Sequence, residues 1–175
     1  MDGNFVKQIS LPAEETLELS KVSEKKLDIH LMHSRPLSYI EQIKDLKNIE
    51  YITIHLEIEE NIQNILNKIK EYGFKRGISI KPNTDINKLI PYLNDIDLIL
   101  IMTVEPGQGG QPFLENSPTR IKEIKNLIKD KNILLEVDGG INDKTINLVN
   151  TADIAVVGSY ITTSDNMIEK VKTLV

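Results

Sequence analysis

The chain has no cysteine among its 175 residues, which excludes disulfides, zinc-cysteine centres and thiol nucleophiles. It has no stretch rich in proline and glycine of the kind that links domains. It has no block of one charge either: lysines and glutamates are interleaved around a net charge of −5, leaving no patch suited to nucleic acid and no stripe suited to a membrane surface. The first residues carry no basic region followed by an apolar run, the pattern of an exported precursor. What remains is a hydrophobic content of 40%, enough for one substantial core and one globular domain over residues 1–175. The expectation is a cytoplasmic protein of soluble metabolism, with neither nucleic acid nor membrane as a partner.

Six short apolar runs rich in β-branched residues are present: Leu27 to Met32, Tyr51 to Leu56, Gly77 to Lys81, Leu98 to Val104, Ile133 to Val137 and Ile154 to Val157. Their composition predicts buried strands. Between them stand residues with helical spacing, such as Ile62, Ile65, Leu66 and Ile69, then Ile121, Ile124, Leu127 and Ile128, and finally Met167, Ile168 and Val171. A leading helix is predicted from about Pro12 to Val22, with Glu14 and Glu15 at its positive end. Strand and helix in alternation imply a parallel sheet. Two architectures fit: an open α/β sheet, or a (β/α)8 TIM-barrel-type fold that is incomplete, lacking its first strand, first helix and most of its second strand. The opening Met1-Asp-Gly-Asn-Phe-Val6 reads as the end of a strand.

Two segments carry the chemistry. Met102-Thr-Val-Glu-Pro-Gly-Gln-Gly-Gly-Gln-Pro-Phe113 and Leu135-Glu-Val-Asp-Gly-Gly-Ile141 each run from an apolar strand into a glycine turn. Barrel enzymes bind substrate at the C-terminal strand ends, with phosphate in the last loops. Glycine there lets backbone N–H groups approach an oxyanion. Gly107, Gln108, Gly109 and Gly110, then Gly139 and Gly140, then Gly158 and Ser159 are the candidate phosphate turns. Alternation places Leu134, Glu136 and Asp138 on one strand face and Leu135 and Val137 on the other, so Asp138 at the tip is the first catalytic candidate. His30 shares a face with Asp28 and Met32. His55 has a similar but weaker claim, and His33 lies past the strand end. Met32 and Met102 belong to the same mouth, and Lys81 reads as a solvated residue before a turn.

Asp28-Ile-His-Leu-Met32, Ile54-His-Leu-Glu57, Ile80-Lys-Pro-Asn-Thr84, Met102 to Phe113, Glu136-Val-Asp-Gly-Gly140 and Val157-Gly-Ser159 together resemble the ribulose-phosphate 3-epimerase family, in order and spacing. The resemblance implies a (β/α)8 barrel that interconverts ribulose 5-phosphate and xylulose 5-phosphate with a divalent metal (Zn, Fe, Mn or Co), through an enediolate, using two aspartates on opposite faces. It implies that Asp138 is one of these and a metal ligand. It implies that His30 is a second ligand that touches substrate, and that the three glycine turns hold the phosphorylated ketose. Family members carry their other aspartate and histidine ligand in a His-x-Asp-x-Met-Asp-Gly pattern, and this sequence begins at that Met. Asp2 matches the later aspartate, an odd offset from the catalytic one, so it is not expected to replace it. The expectation is therefore an epimerase with a late start. A noncatalytic or vestigial phosphosugar-binding protein, or an epimerase for another ketose phosphate such as allulose 6-phosphate, are the alternatives. Two open sheet edges would also favour homo-oligomers or poor solubility.

Overall fold

In a computed structural model covering residues 1–175, β1 (Leu27–Leu31), β2 (Ile49–His55), β3 (Lys75–Ile80), β4 (Leu98–Met102), β5 (Leu134–Asp138) and β6 (Ile154–Val156) make one sheet in sequence order. Every neighbouring pair is parallel. Parallel order puts all six C-terminal strand ends at one mouth. Register aligns Met102 with Asp138 and Asp138 with Val156 there.

The helices are α1 (Ala13–Val22), α2 (Pro36–Ile43), α3 (Ile62–Glu71), α4 (Ser117–Leu127), α5 (Ser159–Thr162) and α6 (Met167–Lys172), with 3-10 turns at Ile86–Tyr92 and Ile146–Val149. In α3 the reasons for the helix are plain. Asn61 caps it by accepting from the N–H of Asn64, and Ile62, Ile65, Leu66 and Ile69 form one buried stripe. Gly73, at φ 86, ends it.

The main core lies between sheet and helices, in a cluster of 28 buried residues that includes Leu31, Ile52, Ile54, Ile99, Leu135 and Val137. A second cluster of only five, Tyr51, Leu98, Leu100, Met102 and Val104, fills the other face. Met32 after β1 and Ile154 of β6 both pack on that small cluster. The two ends of the sheet reach the same residues because the sheet curls, giving six strands of a (β/α) barrel. The open-sheet alternative falls on this point.

Residues 1–10 differ from expectation. Asp2 forms an isolated antiparallel bridge with Ile9, not a strand end within the sheet. The cause is local: the Asp2 carboxylate accepts from the N–H groups of Asn4 and Phe5 and from the N–H and hydroxyl of Ser34. Those bonds turn the segment over the mouth, and the Met1 amino group closes it by donating to the Ser10 carbonyl.

Candidate active site

The ends of β4, β5 and β6 open into a cavity of about 150 Å³. The structure brings together Gly107, Gln108, Gly109 and Gly110 from the loop after β4, Asp138, Gly139 and Gly140 from β5, and Gly158 and Ser159 after β6. Met32 and Met102 supply apolar wall, as their strand positions implied. Glu105 and Gln111, from the Met102 to Phe113 segment, also line it, as do Met1 and Val156, which no spacing or composition signal had marked. Gln111 closes the glycine loop by donating from its amide to the carbonyls of Glu105 and Gln108, at 2.6 and 2.7 Å.

The Asp-Gly-Gly sequence has a steric cause. A Cβ on Gly139 (φ 122) would lie 2.4 Å from a methyl of Val104, and one on Gly140 (φ 67) would lie 2.7 Å from the backbone nitrogen of Phe113. The turn after β5 is thus pressed against the loop after β4, and Thr103 ties them by donating from its hydroxyl to the Gly139 carbonyl at 2.5 Å. Only glycine fits there.

Behind Asp138 stands a polar row inside the curl. His30 lies off the cavity wall, with its Nδ1 3.6 Å from Asp138 Oδ2. Its Nε2 is 2.9 Å from Nε2 of His55, and His55 Nδ1 is 3.1 Å from Glu57 Oε2. His55 is fully buried. Burial, with help from the neighbouring His30 and against the pull of Glu57, lowers it to about 4, so it is neutral at physiological pH. Burial alone would raise Glu57, but hydrogen bonds from His55, Thr84 and the Lys81 N–H outweigh it and hold the carboxylate low. Glu136 is only 2% exposed and one of its oxygens has no partner. Burial first, then the nearby carboxylates of Asp28 and Asp138, pushes it up to about 8.

The expected metal ligands were His30 and Asp138. They adjoin, but no group of three His, Cys, Asp or Glu side chains converges to hold an ion. The remaining nitrogen of His30 is engaged by His55. Imidazole and carboxylate are suitable donors, yet these two alone do not make a metal site. Asp2 lines a different cavity, beside Phe5 and Ser34, and its carboxylate is held low because hydrogen bonds led by Ser34 overcome the opposing effect of burial. It does not line the cavity that holds Asp138. His33 contacts Asp2 at 3.4 Å. The Lys81 ammonium sits 4.2 Å over the Phe5 ring and away from the cavity.

Residues 1–162 match the family described as the ribulose-phosphate 3 epimerase family. The chain is similar to ribulose-phosphate 3-epimerase of Bacillus subtilis (strain 168), 34% identical over 166 residues, and to that of Helicobacter pylori (strain J99), 37% identical over 165. Each alignment covers 92% of this chain and 76% of the relative. The cytoplasmic isoform from Oryza sativa subsp. japonica is 33% identical over 87% of this chain and 67% of its own length. Among solved structures, Mycobacterium tuberculosis tryptophan synthase superposes with a TM-score of 0.66 at 13% identity, over 96% of this chain and 66% of that one. Phosphoribosyl anthranilate isomerase from Thermococcus kodakaraensis gives 0.63 at 16%, over 97% and 83%. At such identities the structural likeness speaks for fold alone.

Proposed function

Because the chain belongs to the ribulose-phosphate 3-epimerase family, we propose that its cavity binds a phosphorylated ketose and that Asp138 moves the proton at C3. The observation that carries this reading is the position of Asp138, a strand-end carboxylate in a small cavity rimmed by three glycine-containing turns. Ribulose 5-phosphate and xylulose 5-phosphate differ only at C3, beside the C2 ketone, where loss of a proton gives an enediolate. Asp138 as carboxylate takes that proton from one face, and inversion follows when the second acid that the family resemblance implies gives a proton to the other face of the planar intermediate. The N–H groups around Gly107 to Gly110, Gly139, Gly140 and Gly158, with the Ser159 hydroxyl, are suited to the phosphate. Met32 and Met102 keep water from the enediolate. A divalent ion of the kind the family resemblance implies would take His30 and Asp138 as ligands and others from outside these residues, so the steps here rest on side chains alone.

The whole chain is read as one domain acting in the cytoplasm. No helix is long and apolar enough to cross a membrane, and one relative is named a cytoplasmic isoform. The test is a coupled assay for xylulose 5-phosphate formation by the 175-residue chain with divalent metal, beside a form extended upstream through a His-x-Asp. Turnover in either form, lost in its Asp138→Asn variant, supports the reading. Tight binding of ribulose 5-phosphate without turnover in both forms would replace it with a noncatalytic phosphosugar-binding role.

A further inference from the structure

The carboxylate of Glu57, just past β2, is fully engaged. Its Oε1 accepts from the Lys81 N–H at 2.8 Å and also from the Thr84 hydroxyl, while Oε2 faces His55 Nδ1 at 3.1 Å. An ionised carboxylate offers only lone pairs, so the hydrogen between them sits on His55 Nδ1. A neutral imidazole has a single N–H. The Nε2 of His55, sealed at 0% exposure, is therefore a bare acceptor, and its partner 2.9 Å away, His30 Nε2, must be the donor. In the neutral form of the His30 ring, that uses its single hydrogen. Its Nδ1, 3.6 Å from Asp138 Oδ2, presents a lone pair.

We propose that Glu57 and His55 are positioning residues that fix the tautomer of His30, keeping its Nδ1 bare toward Asp138. Each link follows from which atoms can donate, so the order is set at Glu57, three side chains away from Asp138. The ring turned to Asp138 is thus kept as an acceptor and does not stabilise the carboxylate by donating to it. Partners of this kind, remote from the reacting atoms, typically alter activity 10- to 100-fold. The tautomer order rests on hydrogen bonds alone; its meaning for turnover rests on the role proposed for Asp138.

Glu57→Gln reverses the chain. Lys81 N–H and the Thr84 hydroxyl both need an acceptor, so the amide oxygen stays with them and the amide NH2 turns to His55. His55 must then accept at Nδ1 and donate from Nε2, and His30 must accept at Nε2 and carry its hydrogen on Nδ1. The experiment is long-range 15N–1H correlation on the full 175-residue chain labelled at histidine, at a pH where the imidazoles are neutral. The expected result is His30 protonated on Nε2 in the wild type and on Nδ1 in Glu57→Gln, with kcat of an active form falling about 10- to 100-fold in the variant. A wild-type spectrum with His30 protonated on Nδ1 overturns the proposal without any variant. So does a Glu57→Gln spectrum in which His30 keeps its wild-type tautomer. Correct tautomers in a protein that never turns over ribulose 5-phosphate would sink the functional reading and leave the positioning intact.

Discussion

Asp138 was legible as a residue of the cavity wall because strand periodicity alone puts it at the tip, facing inward. On the role proposed for it, replacement by asparagine keeps the size and removes the base. The expected result is a loss of about 10²- to 10⁴-fold in turnover with ribulose 5-phosphate binding retained by calorimetry. Two residues away, Glu136 governs pH dependence. Its folded value of about 8 lies above the ordinary 4.5, so the folded chain holds a proton that the unfolded chain releases, and the associated stability is lost as pH rises toward 8. His55 has the opposite sign: at about 4 against 6.5, it adds stability as pH climbs to 6.5. Above 6.5, of these two groups, only Glu136 still acts. The urea midpoint should therefore fall between pH 6.5 and 8 in the wild type and lose that fall in Glu136→Gln; an equal fall in the variant would count against this assignment. The paired histidines were less legible. His30 and His55 are adjacent in space through the β1–β2 pairing, and Glu57 joins them only because the loop after β3 supplies two donors to it. No spacing within the sequence encodes that meeting.

Among the elements, two glycines separate packing from conformation. Gly77 sits in β3, where an added Cβ would stand 2.1 Å from the Thr53 hydroxyl, whereas Gly73 at φ 86 has nothing within 4 Å. Gly77→Ala is expected to cost about 3 kcal/mol from overpacking, and Gly73→Ala about 1 kcal/mol from a left-handed alanine. Chemical denaturation of the two variants would check the order, and a larger loss at Gly73 would contradict it. All six strands were readable, to within two residues at either end, because buried parallel strands are continuous apolar runs. Helices α3, α4 and α6 were readable from their periodicity, and α1 from Pro12 at its start and Glu14 and Glu15 in its first turn. The 3-10 turn at Ile86–Tyr92 was not, since it buries only Leu89 and contains Pro91. Neither was α5, whose four residues are too few to show a period. The opening residues read as the end of a strand, whereas hydrogen bonds to the Asp2 carboxylate hold them in a turn.

At the scale of the molecule, β1 and β6 each have a single neighbour, so two parallel edges offer unpaired backbone groups. Near the chain ends, Leu19 and Val22 of α1 and Met167, Ile168 and Val171 of α6 are exposed apolar residues. Sedimentation of the 175-residue chain is therefore expected to show self-association, and a clean monomer at micromolar concentration would contradict this. The pairing order has another consequence. Each strand is bonded only to the strands before and after it in sequence, so the sheet behaves as a linear array whose ends open without disturbing its middle. Amide hydrogen exchange should be graded, slowest in β3 and β4, where both neighbours are present and β4 is buried throughout, and fastest in β6 and β1. The site spans that gradient: the loop after β4 rests on the most protected part of the sheet, and Gly158 and Ser159 rest on the part that frays first.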